Sequence, residues 1–324
     1  MTIFMQSLKN MKTYTESIPS MTSILSISIV MDENDEKEAS LLLRKGFDKA
    51  KEIIQIISAW EVGTQMHAVN QAAGICPVVV CDELFYLIQR GLKIAELTNG
   101  LFDITFASID KIWYFDKPMY KLPSALEIAK SISNINYKYV ELDPENKSIF
   151  ITNKGTKIEL GAIGKGYIAN EIKKLLLVNG IQSGLVNAGG DLVCWGKNSE
   201  GFPWRVGIAD PNKKESFIAW LPLENQAVAT SGSYEKYALI HGEKYSHIIH
   251  PQTGYPVKGL QSVTIISPDP ELCDAIATSV FLMGLEKGLA FVNQFNDIQC
   301  FMIDDKNQYY YSDNLNTNQY VQTN

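Results

Sequence analysis

The fold is decided by a glycine-rich turn between a predicted strand and a predicted helix, and it reads Glu159-Leu160-Gly161-Ala162-Ile163-Gly164-Lys165-Gly166. Residues 156–160 before it have a strand-like pattern, and residues 167–178 after it place their apolar side chains on one side of a helix. Glycines let a ligand approach the backbone, and the first amides of a helix favour anionic oxygens. The layout therefore indicates a phosphate-binding site, to which Lys165 adds one mobile positive charge.

The spacing of these glycines fits neither GxGxxG nor the Walker loop, which needs Ser or Thr after Gly-Lys. A tight structural connection explains the same residues, and for the turn taken alone it is the better interpretation. The other unusual stretches of the chain have to decide between the two.

The composition is that of an ordinary globular protein. The chain has 324 residues, of which 46% are hydrophobic and 20% are charged, and its formal net charge is -7. Such a charge gives no general attraction for nucleic acid or anionic membranes. Any anion must therefore be held locally, by a metal or by a few basic groups.

The compartment is predicted from the cysteines and the N-terminal region. Five cysteines are scattered without CxxC or zinc spacing, which favours reduced thiols. No run approaches the length of a membrane helix, and no export signal or lipoprotein cysteine is recognisable near the start. We expect a cytoplasmic protein, with export left open if the N-terminus is truncated.

The expected architecture is one compact α+β unit of mixed or antiparallel sheets with flanking helices. We predict an irregular arm over 1–20, the compact unit over 21–312 and a flexible tail over 313–324. Long helices are expected at about 37–57 and 82–97, the latter with Asp82 as N-cap. Beyond residue 180 strands dominate, and small polar turns follow them at 187–191, 229–234 and 250–256, where sites are often built.

A predicted helix that opens near Glu271 carries a possible metal site. Asp274 and Thr278 are four residues apart and share a face of that helix. A carboxylate and a hydroxyl offer hard oxygen ligands, which suit Mg²⁺. The alternative is a first-turn charge favoured by the helix dipole and a packed threonine.

A second candidate is His247 in the predicted strand 245–249. Strand alternation places His247 and His250 on opposite faces. A lone strand histidine is usually structural, yet an imidazole is also the natural general base near neutral pH. The sequence alone leaves both roles open.

Taken together these stretches resemble the ApbE-like family of FAD:protein FMN transferases. Seven segments carry the resemblance in the family's order: SAWEVGTQMHAVNQ (58–71), GLFDIT (100–105), ELGAIGKGY (159–167), LVNAGGD (185–191), AVATSGSYEKY (227–237), SHIIHPQTGYPV (246–257) and CDAIATSVFLMG (273–284). The first of them is the weakest match. The resemblance implies an ApbE-like, T-fold-like architecture.

The family transfers FMN from FAD to a Thr or Ser hydroxyl of an acceptor protein through a phosphodiester bond and releases AMP. The resemblance implies Mg²⁺ held by Ala162, Asp274 and Thr278, with help from Ala277. It makes His247 the base and gives Lys165 a part in the chemistry. The FAD contacts that it implies are Met21, Trp60, Leu101, Phe102, Asp103, Glu159, Lys165 and Ile248.

Two other functions stay open at this point, a Mg²⁺-dependent FAD pyrophosphatase and a non-catalytic flavin-binding protein. The sequence also departs from the family pattern. His250 stands where Asp is usual, Glu159 replaces Asp, and Trp60 replaces a frequent Tyr. The acceptor protein is not identified by the sequence.

Overall fold

The computed structural model describes residues 10–21, 23–213, 216–234, 236–315 and 321–322. Its strands are β1 (Met11–Ser20), β2 (Ser23–Asp32), β3 (Val78–Val79), β4 (Val140–Asp143), β5 (Ser148–Ile151), β6 (Gly184–Ala188), β7 (Asp191–Trp195), β8 (Trp204–Ala209), β9 (Phe217–Leu223), β10 (Ala227–Gly232), β11 (Tyr237–Ile240), β12 (Glu243–Ser246), β13 (Leu260–Ser267), β14 (Gln299–Asp304), β15 (Tyr309–Tyr311) and β16 (Val321–Gln322). Its α-helices are α1 (Glu36–Ile57), α2 (Gln65–Gln71), α3 (Asp82–Leu97), α4 (Ala125–Ser131), α5 (Gly164–Val178), α6 (Pro270–Met283) and α7 (Leu285–Val292).

An eight-stranded antiparallel sheet organises the molecule, in the order β1-β2-β6-β7-β10-β13-β14-β15. Helices α1, α3, α5 and α6 cover one face and share the main hydrophobic core with it. The other face packs against β8 and β9 of a three-stranded sheet, through a second core. The α+β prediction with antiparallel sheets and flanking helices is therefore confirmed.

Helix α1 shows how the sequence produces this packing. Its buried residues recur three or four positions apart, which is the spacing of one helix face: Ala39, Leu42, Leu43, Gly46, Phe47, Ala50, Ile53 and Ile57. At Gly46 the helix approaches the sheet so closely that an added β-carbon would lie 2.7 Å from Cδ1 of Ile27. The apolar stripe thus fixes both the rotation of α1 and its distance from β2.

Several predicted elements are corrected by the structure. Met11–Ser20 is not part of an irregular arm, because all ten residues pair with β2, while residues 1–9 lie outside the description. Residues 156–160 belong to no strand. Their amides are bonded elsewhere, that of Ile158 to the Asn70 side chain and that of Glu159 to the Ile104 carbonyl.

The ends of two other predictions also differ. The N-cap of α3 is Cys81, and Asp82 is the first residue of the helix. Most of the predicted flexible tail lies outside the described residues, but Val321–Gln322 pair with β9. No helix in the described ranges is long and apolar enough to cross a membrane.

The central sheet gives a test with a matched control on β2. Ile27 is 0% exposed, and Ile24 is 60% exposed. Ile27→Ala removes buried methyl groups and leaves a cavity, so it should lower the free energy of unfolding by about 2 to 5 kcal/mol. Ile24→Ala should change it by less than about 0.5 kcal/mol. Equal effects in urea denaturation would contradict the packing described for this face.

Candidate active site

A cavity of about 560 Å³ lies where the glycine turn meets the starts of α5 and α6. It collects twelve of the thirteen residues predicted for the site: Met21, Leu101, Phe102, Asp103, Glu159, Ala162, Lys165, His247, Ile248, Asp274, Ala277 and Thr278. Trp60 does not line it and is 70% exposed, just beyond the end of α1. Segments far apart in the chain therefore converge on one concave surface, as expected for a ligand site.

Gly161 and Gly166 of the turn lie in close contacts, and that of Gly166 is with backbone, which cannot move aside. A β-carbon on Gly161 would lie 2.5 Å from a carboxylate oxygen of Glu159, which folds back over the turn. A β-carbon on Gly166 would lie 2.2 Å from the Pro270 carbonyl oxygen at the start of α6. The first turns of α5 and α6 are thereby brought into backbone contact at the cavity.

The centre of the cavity holds two buried carboxylates and one ammonium. The Lys165 Nζ donates to Asp191 Oδ2 and lies 3.8 Å from Asp274 Oδ1. Asp191 is 3% exposed and Asp274 is 5% exposed. Two buried carboxyl groups therefore lie beside the same ammonium, and a second cation near them would favour the ionised form of both.

The electrostatics of Asp274 express the same imbalance. Burial, and then the charge of Asp191, raise the pKa of the Asp274 carboxyl above its ordinary range. Lys165 and a hydrogen bond from the Gly166 amide, 3.3 Å from Asp274 Oδ2, act in the opposite direction. A divalent cation at this place would favour the ionised form.

The donors around Asp274 fit a hard metal ion. Thr278 follows Asp274 by one turn on α6, and its Oγ1 lies 3.1 Å from Ser231 Oγ. Ala162 and Ala277, whose carbonyls the family resemblance implies as ligands, line the same cavity. The described residues contain no group of three or more His, Cys, Asp or Glu able to hold a metal. Hydroxyl and carbonyl oxygens would have to complete the shell, which suits Mg²⁺ and not zinc.

Sequence reasoning missed Asp191 and Ser231 as single residues, although both belong to segments that carried the family resemblance. Asp191 follows Gly189 and Gly190 at the start of β7, and Ser231 lies on β10. A signal for Asp191 was present, since a carboxylate directly after two glycines at a strand boundary is placed where a ligand can approach. The contact between Ser231 and Thr278 joins residues 47 positions apart and has no local signal.

His247 lies in a bend directly after β12 and not within a strand, so the predicted alternation does not apply to it. The Lys236 carbonyl accepts hydrogen bonds at 3.1 Å from both the His247 amide and its Nδ1. A carbonyl oxygen can only accept, so Nδ1 carries a proton, and in the neutral ring Nε2 is the nitrogen with the lone pair. Phe115 packs edge-on against the ring, with centroids 6.5 Å apart. The imidazole is therefore held as a proton acceptor at the cavity.

His250 belongs to a different place in the molecule. It borders a second cavity, of about 520 Å³, between the end of α3 and helices α6 and α7. The Gln252 amide donates to its Nδ1 at 3.2 Å, and burial lowers the pKa of its imidazole. His250 is therefore held neutral, with its proton on Nε2, and takes no part in the first cavity.

Asp103 and Glu159 are acidic residues with structural partners. Asp103 Oδ1 accepts from the amide and hydroxyl of Thr105, and Oδ2 accepts from the Tyr137 amide at 2.9 Å. Burial raises the pKa of both Asp103 and Glu159, and hydrogen bonds to each oppose this. Asp103 thus shapes the loop at 101–105, and Glu159 supports the glycine turn, in addition to lining the cavity.

Comparison with known proteins identifies similar chains. A sequence model of the ApbE family matches residues 21–302. A FAD:protein FMN transferase of Klebsiella pneumoniae (strain 342) is 31% identical over 263 residues, which are 78% of this chain and 81% of that protein. One of Treponema pallidum (strain Nichols) is 29% identical over 297 residues, covering 86% of this chain and 81% of that protein. The crystal structure of the ApbE protein from Thermotoga maritima MSB8 is similar with a TM-score of 0.81 and 28% identity, over 93% of this chain and 97% of that one.

The contact between α5 and α6 gives a test with two helical glycines. Gly166→Ala places a methyl group against the Pro270 backbone, which cannot move aside, and should lower the free energy of unfolding by about 1 to 3 kcal/mol. Gly46→Ala meets two side-chain methyl groups, Ile27 Cδ1 at 2.7 Å and Ile172 Cγ2 at 3.3 Å, and no backbone, and it gains helix propensity, so its effect should stay within about 1 kcal/mol of zero. Thermal denaturation of both variants checks this. A Gly166→Ala protein as stable as the wild type would mean that the two helix starts are not in contact.

Proposed function

We propose that this chain, which belongs to the ApbE family and is a flavin transferase, moves FMN from FAD to a Thr or Ser hydroxyl of an acceptor protein. In this reaction the acceptor oxygen forms a bond to the FMN phosphorus, the pyrophosphate bond breaks, and AMP leaves. The observation that supports the proposal most is one cavity that combines a glycine turn at a helix start, a buried carboxylate pair with Lys165, and a histidine held as a proton acceptor.

The glycine turn is suited to the pyrophosphate. Helix α5 begins at Gly164, and the amides of Lys165 and Gly166 in its first turn point to the Asp274 carboxylate at the cavity, while the Gly164 amide donates to the Leu160 carbonyl. Such a helix start favours phosphate oxygens, and the Lys165 ammonium adds a full positive charge beside it. Leu101, Phe102 and Ile248 supply apolar surface to the same cavity, where the rings of FAD can pack.

Asp274, Thr278 and the carbonyl of Ala162, with that of Ala277, are the residues that would hold Mg²⁺. When bound, the ion would supply neutralisation of the pyrophosphate charge and stabilisation of the departing AMP oxygen. Asp274 is the charged member of this set, and its burial gives it a preference for a cation over water.

His247 would take the proton of the acceptor hydroxyl. Its Nε2 lone pair is available because Nδ1 is bonded to the Lys236 carbonyl. A hydroxyl is a weak nucleophile until a base removes its proton as the new bond forms. The imidazolium that results keeps its Nδ1 hydrogen bond, so the ring does not have to reorient during the step.

A FAD pyrophosphatase remains the second candidate, since the His247 side of the cavity is partly exposed and water can reach it. The two functions are separated by incubation with FAD, Mg²⁺ and a Thr-containing candidate acceptor protein. Transfer gives a fluorescent acceptor band on a denaturing gel, whereas hydrolysis gives free FMN and AMP only. Unchanged FAD under these conditions would contradict both.

Asp274→Ala tests the metal site. Removal of the carboxylate ligand should abolish FAD turnover. The fold should survive, because burial opposes ionisation of the Asp274 carboxyl and its loss therefore removes an unfavourable buried charge. Isothermal calorimetry should show loss of Mg²⁺ binding. The exposed Asp297→Ala is the matched control and should bind Mg²⁺ normally. Activity that survives EDTA in the wild type would exclude the metal role.

His247→Ala tests the base, with His250→Ala as control. His247→Ala should bind FAD and Mg²⁺ but lose roughly 10² to 10⁴ in transfer rate, which is the usual contribution of a general base. His250→Ala should turn over near normally, because His250 lines the other cavity. A larger defect in His250→Ala would reverse the assignment.

A further inference from the structure

An ion pair behind the cavity links two helices that carry site residues. Arg90 on α3 meets Glu271 on the first turn of α6 through two parallel hydrogen bonds, from Nε to Oε1 at 2.5 Å and from Nη2 to Oε2 at 3.0 Å. Glu271 is only 7% exposed. Burial raises the pKa of the Glu271 carboxyl, and the hydrogen bonds and charge of Arg90 oppose this effect. The Arg90 guanidinium therefore stabilises the ionised Glu271 carboxylate at the start of α6.

The same guanidinium reaches α5. It lies 5.5 Å from the centre of the Tyr167 ring, and the Tyr167 hydroxyl donates to Glu83 Oε1 at 2.8 Å. Lys49 on α1 lies 3.7 Å from the same Glu83 oxygen. One connected set of charges and hydrogen bonds thus joins α1, α3, α5 and α6, and none of its residues lines the cavity.

The position of this set along the chain connects it to the site. Tyr167 follows Lys165 by two residues, and Glu271 precedes Asp274 by three, so each lies within one helical turn of a cavity residue. Between them Gly166 touches the Pro270 carbonyl, and its amide donates to Asp274. A shift of the first turn of α6 along α5 would break this hydrogen bond and separate Lys165 from Asp274.

We propose that Arg90 is a positioning residue. Its two parallel hydrogen bonds to Glu271 and its contact with the Tyr167 ring set the register of α5 against α6, and thereby the distance between Lys165 and Asp274. The inference rests on the proposed function in that the positioned atoms are those of its metal and phosphate site. Arg90 itself does not line the cavity. The role requires arginine, because a lysine keeps the charge but cannot form two parallel bonds and a stacked plane.

The test compares Arg90→Lys with Arg205→Lys. Arg205 lies on β8 and packs its guanidinium 5.2 Å from the Trp220 ring, so its replacement removes a similar stacking contact far from the helices. Hydrogen exchange is measured by mass spectrometry on the metal-free proteins, together with melting temperature and calorimetric Mg²⁺ affinity. We expect faster exchange in peptides covering 160–170 and 268–276 of Arg90→Lys alone. We also expect about a tenfold weaker Mg²⁺ affinity, the usual scale for loss of a supporting contact.

A double variant separates positioning from simple stabilisation. Arg90→Met with Glu271→Met removes the buried charges, and such apolar replacements often keep or raise stability. If Arg90 positions the helices, the double variant recovers its melting temperature but not its Mg²⁺ affinity or its FAD turnover. Recovery of all three would overturn the proposal, as would exchange in Arg90→Lys that rises equally in every peptide or not at all.

A result that refutes the proposed flavin transfer can be distinguished from one that refutes the role of Arg90. A wild-type protein that neither binds Mg²⁺ nor turns over FAD refutes that function. The exchange comparison on the metal-free proteins still decides whether Arg90 holds the starts of α5 and α6 together.

Discussion

The site depends on the backbone contact between Gly166 and the Pro270 carbonyl. Only a residue without a β-carbon allows the first turns of α5 and α6 to meet there. This contact brings the Lys165 ammonium of α5 within 3.8 Å of the Asp274 carboxylate of α6. Both helices pack on the central sheet through the main hydrophobic core. The rigidity of the site is therefore that of the core, and does not come from the loops around it.

Two buried carboxyl groups share one ammonium at this point. Asp191 and Asp274 are both buried, Asp191 accepts a hydrogen bond from Lys165, and Asp274 Oδ1 lies 3.8 Å from the same nitrogen. A divalent cation and an anionic substrate suit such a centre as a pair, because the cation balances the carboxylates and the helix start and lysine favour the phosphates. Such a local arrangement would let a chain with a net charge of -7 hold an anionic substrate.

The parts of the fold that could be predicted are those with a local signal. The apolar stripes of α1 and α5, and the spacing of Asp274 and Thr278 on α6, follow directly from helical geometry. Strand β1 was missed because it is an edge strand whose residues are mostly exposed, so no alternation of apolar side chains marks it. Its partner β2 determines its conformation, and that information is nonlocal.

The site shows the same division. The glycine turn was recognisable, but residues 156–160 were misread as a strand because the groups that satisfy their amides come from residue 70 and from the loop around 104. The boundary of β12, which ends one residue before His247, is the point where its pairing with β11 ends, at Tyr237 and Ser246. Pairings such as Lys165 with Asp191, or Arg90 with Glu271, join distant positions and leave no trace in spacing.

The protonation pattern of His247 has a consequence for mutational tolerance. Its Nδ1 proton is held by the main-chain carbonyl of residue 236, and every one of the twenty amino acids presents the same carbonyl. Codon changes at position 236 can therefore alter charge and bulk at the cavity rim without altering which ring nitrogen is free. The chemistry of the cavity rim at position 236 and the orientation of the His247 ring can thus change independently during evolution, because the first is encoded by a side chain and the second by the path of the main chain.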